Sequence, residues 1–305
     1  NPPTLGRVVV VAERAGLPRG VLSGAPGGGG GPTPPAGPPG GAGVSFVGSS
    51  AVAGEVYARA ARAGKRVQAL GGAKNHMIVL PDADIDGAAA SCVSSVYGSA
   101  GQRCLAGSVV VGVGKAYDAV RDRFLDRAAS LRVGYGLDER SEMGPVISSE
   151  HRDRVCGYIE HGMSEGASLP LDGRDVAVSG YPEGHWIGPT VMEGLRPGMT
   201  VAGEEIFGPV AGLTRAASLD EAIELMARSR YGNACSIYTA SGRAAREFRY
   251  RAGISMIGVN IGVAAPMAFF PFGGTRDSFF GDLKAQGRDA VRFYTDQRVV
   301  ISRWS

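Results

Sequence analysis

The sequence predicts an α/β fold with a largely parallel sheet, on three observations. From Ser49 onward, stretches with helical apolar spacing alternate with short apolar runs of strand length. Helix-opening signals recur where one pattern gives way to the next, as at Ser218 followed three residues later by Glu221. No convincing internal repeat competes with that alternation, and strands alternating with helices in this way favour parallel pairing.

The elements follow in order. "TLGRVVVVAERAGLPRG" reads as a helix or strand closed by a Gly-Leu-Pro stop. Residues 24 to 43, "GAPGGGGGPTPPAGPPGGAG", cannot form a helix or a paired strand, because glycine lacks conformational bias and proline lacks the donor. They read as a disordered or loosely held loop. "VSFVGSS" is a buried strand running into a turn that presents Gly48 and Ser49. "EVYARAARAGKRVQAL" is a helix and then a short strand, and "HMIVL" (76 to 80) is another strand. "PDADIDGAAASCVSSVYG" opens a helix at Pro81-Asp82, with Ile85, Ala89, Val93 and Val96 at helical spacing. "GSVVVGV" is a strand, and "KAYDAVRDRFLDRAASL" an amphipathic helix with Tyr117, Val120, Phe124 and Leu131 inward. The helix capped by Ser218 precedes the strand "ACSIYT" and a further helix opened by Ser241. The run "RFYTDQRVVISRW" reads as an exposed strand of alternating residues, an aggregation hazard unless something covers it.

A chain of 305 residues can hold two packed domains or one large one. Its 32 basic and 29 acidic residues leave a net charge of +3, too small and too scattered for nucleic acid. Cys92, Cys104, Cys156 and Cys235 show neither close pairing nor metal-ligand spacing, so a reduced, cytoplasmic setting is expected and no metal site. "NPPTLGRVVV" contains no basic segment leading into an apolar core, so no signal peptide is expected. The most apolar window, 253 to 274, is interrupted by Asn260, Pro266 and Pro271; it predicts a buried strand and loop rather than a membrane span.

"YGSAGQRCLAG" places Cys104 after a helix and a glycine-containing turn and before a strand. A thiol on such a loop can be exposed and activated by backbone donors. The plainer reading is a small buried residue. Its company decides: "FVGSS", "LGGAKNH", "GSAGQRC" and "EEIFGPV" occur in that order. Together these stretches resemble the aldehyde dehydrogenase superfamily. "KRVQALGGAKNHMIVLPDADID", "AGQRC", "PMAFFPFGG" and "FYTDQRVVISRW" are similar to its methylmalonate-semialdehyde dehydrogenase branch. The resemblance runs almost from end to end and fails across the Gly/Pro tract.

The resemblance implies an aldehyde dehydrogenase-like fold. A partial Rossmann-like NAD-binding domain would span 1–72, a catalytic α/β domain 73–271, and a C-terminal segment with an oligomerisation strand 272–305. A homo-oligomer, dimer or tetramer, follows from that strand. Cys104 would be the nucleophile, and its own backbone N–H would help hold the developing oxyanion. Gly48 and Ser49 would touch the NAD phosphates, Glu205 would bond the nicotinamide ribose, and Phe207 would pack near the nicotinamide. Taken singly, Ser49 is equally a turn former and Glu205 a solvated carboxylate.

Hydrolytic family members carry "ELGGK", whose Glu activates a deacylating water. Here "LGGAK" (70 to 74) puts Leu70 at that place, and leucine cannot take a proton. A captured acyl group would then wait for a thiol, which supplies some thiolate unaided at a pKa of about 8.5. The resembling branch shares this departure and uses coenzyme A. Arg103 would hold a substrate carboxylate bidentately; its plainer role is to bond nearby loop carbonyls. The implied reaction takes methylmalonate or malonate semialdehyde, NAD+ and CoA to propionyl- or acetyl-CoA with loss of CO2.

Other residues read as structural: the scattered His76, His151, His161 and His185, the core cysteines Cys92, Cys156 and Cys235, and Lys74 and Asn75. Asn260 stands either near the active site or as a buried strand-end amide. The family's chains begin well before this one, and Asn1 stands where the family has a ribose-binding lysine. The segment missing by comparison would hold an oxyanion asparagine and a second arginine. Two other functions therefore stand beside the first: a catalytically inert remnant acting as a binding or structural subunit, and a hydrolytic aldehyde dehydrogenase, which Leu70 disfavours.

Overall fold

The computed structural model describes residues 2–18, 20–23 and 41–305. The expectations for residues 24–40 of the Gly/Pro tract and for Asn1 lie outside the described residues.

The chain opens with α1 (Pro2–Arg14), β1 (Gly43–Val47), α2 (Ser50–Arg62) and β2 (Arg66–Leu70). Then come β3 (Asn75–Val79), α3 (Ile85–Tyr97), a 3-10 turn (Gly98–Gly101), β4 (Gly107–Val113) and α4 (Ala116–Ala129). The middle of the chain forms α5 (Ser149–Ser164), β5 (Ser168–Leu171), β6 (Thr190–Glu193), α6 (Thr200–Gly203), β7 (Val210–Ala216) and α7 (Leu219–Ala227). It ends with β8 (Tyr231–Gly232), β9 (Ala234–Tyr238), α8 (Gly242–Arg251), β10 (Met256–Val259), β11 (Thr275–Arg276), β12 (Phe279–Gly281) and α9 (Gly287–Tyr294).

The main sheet has the order β10-β9-β3-β4-β7-β6-β5, and every pairing in it is parallel except β5 with β6. The expected α/β architecture is thus present. β3 and β9 are buried along their whole length, as the inner strands of a parallel sheet covered on both faces should be. The two-residue alternation sorts β3 between two cores. Met77 and Val79 pack with Val93, Val96, Phe124 and Ile159 beneath α3, α4 and α5. Ile78 packs with Val111, Ile223, Met226 and Phe248 beneath α7 and α8. Each such side chain contributes about 1.5–3 kcal/mol on burial.

A smaller sheet, β1-β2-β12, pairs β1 and β2 in parallel and adds β12 antiparallel. Its third strand thus comes from the far end of the sequence. A two-stranded ribbon joins β11 to β8.

Caps fix the helix starts. Ser148, Ser218 and Ser241 accept from the backbone N–H three residues on, opening α5, α7 and α8. Glu221 reaches back to the N–H of Ala217, close to the expected capping box. The third helix starts later than Pro81-Asp82: Asp84 caps it by accepting from Gly87 N–H, and α3 begins at Ile85.

Other expectations change. β1, expected to be buried, has no buried residue, and Val47 is 69 % exposed. The 253–274 window, expected as a buried strand and loop, leaves Met267, Phe269 and Phe270 54–67 % exposed. Gly43, assigned to the Gly/Pro loop, is the first residue of β1 and pairs with Arg66. The expected C-terminal strand is not formed: Arg292 to Tyr294 complete α9, and 295–305 carry no strand. A strand needs a neighbouring edge to bond, and within one chain none is paired with this segment. Val299, Val300, Ile301 and Trp304 stay 83–93 % exposed. Among the described residues no helix is long and apolar enough to cross a membrane.

Candidate active site

Cys104 is held in place from several directions. α3 ends at the buried Tyr97, whose hydroxyl donates to Thr190 O at 3.0 Å. The turn that follows is left-handed at three successive residues: Ser99 (φ 54°), Ala100 (φ 53°) and Gly101 (φ 70°). The first two carry a Cβ, and each costs about 1–2 kcal/mol in this conformation. Glycine is required at 101 for another reason as well: a Cβ there would lie 2.2 Å from Gly208 O. Beyond the turn, two buried amides seize the carbonyl of Cys104. Asn75 Nδ2 donates to Cys104 O at 2.9 Å and to Ala106 O at 2.8 Å, while its Oδ1 accepts from Ala234 N–H. Asn233 Nδ2 donates to Cys104 O at 2.7 Å. Strained backbone kept by surrounding bonds is frequent where chemistry is done.

The thiol is half-buried and its pKa is raised. Burial is the largest cause and the charge of Glu205 adds to it. The backbone N–H groups of Cys104 and Leu105, and then Arg103, pull the other way. Cys104 therefore rests as a thiol, with donors already beside the sulfur.

All six residues predicted for the site line one cavity of about 760 Å³: Gly48, Ser49, Arg103, Cys104, Glu205 and Phe207. Gly48 and Ser49 come from the end of β1 and the start of α2. Ser49 is the N-cap of that thirteen-residue helix, yet its side chain makes no capping bond. The turn is tight: a Cβ on Gly48 would meet the Phe46 ring at 2.6 Å. Ser50 ties the neighbouring chain ends together, accepting from Gly72 N–H at 2.9 Å and donating to Asp277 O.

Glu205 stands opposite. Its Oε1 accepts from Ala73 N–H at 3.0 Å, and burial raises its pKa against the pull of that N–H, Lys74 and Arg154. Phe207 has a positive φ of 60°, and its carbonyl bonds His151 Nε2 at 2.7 Å.

Arg103 does more than line the wall. Its Nη2 donates to Ser94 O and Ser95 O at 2.9 and 3.0 Å, near the C-terminal end of α3, and its buried Nε has no protein partner. Leu70 is a buried residue at the end of β2, and Gly71 and Gly72 line the cavity in its vicinity. Asn260 bonds the backbone N–H and carbonyl of Thr239 and lies outside the cavity lining.

Two basic side chains of the cavity were not assigned to it from the sequence, and one of them, His151, read as structural. His151 and Arg154 enter it from α5, three residues apart on one helical face. Their i, i+3 spacing was a visible signal, but nothing local tied α5 to the cysteine. Cys156, expected in the core, is only partly buried, whereas Cys92 and Cys235 are buried. Among the described residues no group of three or more His, Cys, Asp or Glu side chains could hold a metal.

These residues suit a nicotinamide dinucleotide. A glycine-serine turn at a helix N-terminus favours phosphate. Next to it the wall is glycine, and a Cβ on Gly72 would sit 2.4 Å from Glu205 Oε2. That clearance leaves the carboxylate facing the cavity.

Comparison with known proteins agrees with this geometry. The family model described as "Aldehyde dehydrogenase family" matches residues 1–300. Malonate-semialdehyde dehydrogenase 3 of Geobacillus kaustophilus is 52 % identical over 262 residues, covering 86 % of this chain and 54 % of that protein. Malonate-semialdehyde dehydrogenase 1 of Geobacillus thermodenitrificans is 46 % identical over 305 residues, covering 100 % and 63 %. Thus the chain spans little more than half the length of the curated relatives it matches. The crystal structure of methylmalonate-semialdehyde dehydrogenase from Oceanimonas doudoroffii superposes with a TM-score of 0.85 at 43 % identity, covering 87 % of this chain and 54 % of that one. A Mycobacterium tuberculosis aldehyde dehydrogenase complexed with NAD+ gives 0.88 at 32 % identity, covering 96 % and 59 %. By family match, identity and fold together, the chain belongs to the aldehyde dehydrogenase family.

Proposed function

We propose that this chain carries the catalytic cysteine of a CoA-acylating semialdehyde dehydrogenase that converts malonate or methylmalonate semialdehyde to acetyl- or propionyl-CoA. The observation that carries the reading is the meeting of Cys104, Glu205 and the Gly48–Ser49 turn in one cavity. The names of the relatives support the substrate class.

In this reading Cys104 gives up its proton to solvent, the resulting thiolate attacks the aldehyde carbon, and the adjacent backbone N–H groups hold the developing oxyanion. Bound NAD+ supplies the acceptor for the hydride that leaves that carbon. The Gly48–Ser49 turn and the α2 N-terminus would hold the pyrophosphate, Glu205 would bond the ribose, and Phe207 would pack near the nicotinamide. Cys104 is left as an acyl thioester. No carboxylate extends from the end of β2, where Leu70 is buried and glycines form the wall. The thiolate of CoA then takes the acyl group and releases the Cys104 sulfur. The β-carboxylate departs as CO2, leaving an enolate that the thioester stabilises and a proton quenches. Arg103 and Arg154 are the cationic side chains of the cavity, and a substrate carboxylate would be met by them.

A hydrolytic reading has one observation in its favour: Glu205 is a carboxylate in the same cavity as the thioester. Its Oε1 is already engaged by Ala73 N–H. The deciding experiment follows NADH from malonate semialdehyde, with and without CoA. NADH that requires CoA, with acetyl-CoA as product, supports acyl transfer. NADH that ignores CoA leaves hydrolysis. Failure to form NADH, together with failure to bind NAD+, would leave a chain that only binds or supports a partner. We further propose that a second copy covers the exposed Val299–Ile301 segment, which light scattering before and after removal of residues 295–305 would test.

A further inference from the structure

Two consecutive residues, Ala73 and Lys74, grip two consecutive residues, Glu204 and Glu205. Ala73 N–H donates to Glu205 Oε1 at 3.0 Å, and Lys74 Nζ donates to Glu204 O at 2.7 Å. Lys74 is only 5 % exposed. Long charged side chains are rarely buried so deeply unless their charge is used. A neutral donor could satisfy the Glu204 carbonyl equally well. The ammonium adds what a neutral donor could not: held on the Glu204 carbonyl, it places a positive charge near the adjacent Glu205 carboxylate.

The segment it holds reaches the chemistry at both ends. Glu205 faces the Cys104 cavity, and Gly208 lies against Gly101 of the nucleophile turn so closely that no side chain fits between them. The neighbours are charged from several elements. Arg154 of α5 and Tyr231 of β8 lie near Glu205, Cys104 and Arg103 come from the nucleophile loop, and Glu204 and His76 flank Lys74.

We propose that Lys74 is a positioning residue of this site: its ammonium anchors the Glu204–Glu205 segment and keeps Glu205 ionised beside Cys104. The cofactor consequence rests on the reading above, in which Glu205 holds the nicotinamide ribose. The electrostatics are consistent. Burial lowers the Lys74 pKa to about 8 while Glu205 and Glu204 oppose the fall, and Lys74 in turn holds the Glu205 pKa down against burial. Without the ammonium, Glu205 takes up a proton at higher pH.

The test compares the full chain with Lys74→Met and with Lys74→Arg, which keeps the charge. Infrared difference titration reads the protonated Glu205 carboxyl directly, with Glu205→Gln to identify its band. The midpoint should move to higher pH in Lys74→Met and stay near the wild-type value in Lys74→Arg. A shift of one pH unit corresponds to about a tenfold loss in the ionised fraction at acid pH. NAD+ binding, measured by calorimetry without turnover, should weaken in Lys74→Met most at the acid end of the range, with kcat changed less than KM for NAD+. An unmoved carboxyl midpoint in Lys74→Met overturns the proposal, even if NAD+ binding has weakened. Should Lys74→Met not fold, Lys74→Gln repeats the titration with a neutral donor to Glu204 O, and an unmoved midpoint there overturns it equally. A wild-type chain that binds no NAD+ refutes the cofactor reading, while the infrared titration still decides the role of Lys74.

Discussion

Replacing Asn75 by leucine tests how Cys104 is held. The substitution keeps the branching and heavy-atom count of the side chain and deletes three bonds: Nδ2 to Cys104 O, Nδ2 to Ala106 O, and Oδ1 from Ala234 N–H. Asn75 is 3 % exposed, so water does not replace what is lost. A stranded buried N–H costs about 1–3 kcal/mol and each lost carbonyl bond about 1 kcal/mol, so about 3–5 kcal/mol is expected in all. Asn233→Leu removes only the 2.7 Å bond to Cys104 O, for about 1–1.5 kcal/mol. Urea unfolding measures both. Alkylation of Cys104 by iodoacetamide under native conditions reads the position of the sulfur. Asn75→Leu should show the larger stability loss and an altered alkylation rate while far-ultraviolet circular dichroism is retained. Equal stabilities for the two variants, or a Cys104 alkylation rate unchanged in Asn75→Leu, would refute the reasoning.

Other outcomes follow from the same geometry. Burial lowers the His76 pKa to about 4 from 6.5, so the unfolded chain binds the proton first as pH falls. Stability is present above pH 6.5 and lost on descending toward pH 4, by about 2 kcal/mol between pH 7 and pH 5; His76→Gln should flatten that slope in urea titrations. Gly72→Ala puts a methyl group 2.4 Å from Glu205 Oε2 and should raise KM for NAD+ several-fold with a smaller change in kcat. Arg103→Met gives up two bonds to the α3 carbonyls and should lower stability by about 1–3 kcal/mol. If Arg103 also meets the substrate carboxylate, KM for the semialdehyde rises in that variant, and steady-state kinetics with an uncharged aldehyde separates the two effects.

Much of this arrangement was legible in the residues. Local chemistry specifies local structure, so the serine caps, the apolar strands and the helix periodicity identified α4, α7, α8, β3, β4 and β9 before any contact was known. The order of "FVGSS", "GSAGQRC" and "EEIFGPV" also brought forward the residues that share the cavity. What depends on distant partners was not legible. No pattern in α5 points to Cys104, yet His151 and Arg154 meet it because α5 packs beside the 204–208 segment.

The sequence by itself determined the alternation of elements, the cysteine beyond a glycine-containing turn, and the absence of a carboxylate at Leu70. Those features follow from side-chain chemistry and short-range geometry. Only the tertiary structure decided that Asn75 and Asn233, 158 positions apart, close on the same carbonyl, that Arg103 is engaged by α3, and that Lys74 bonds the carbonyl of Glu204 beside Glu205. A polar side chain has several possible partners in a sequence. Burial removes water as one of them, and packing selects which of the others remains.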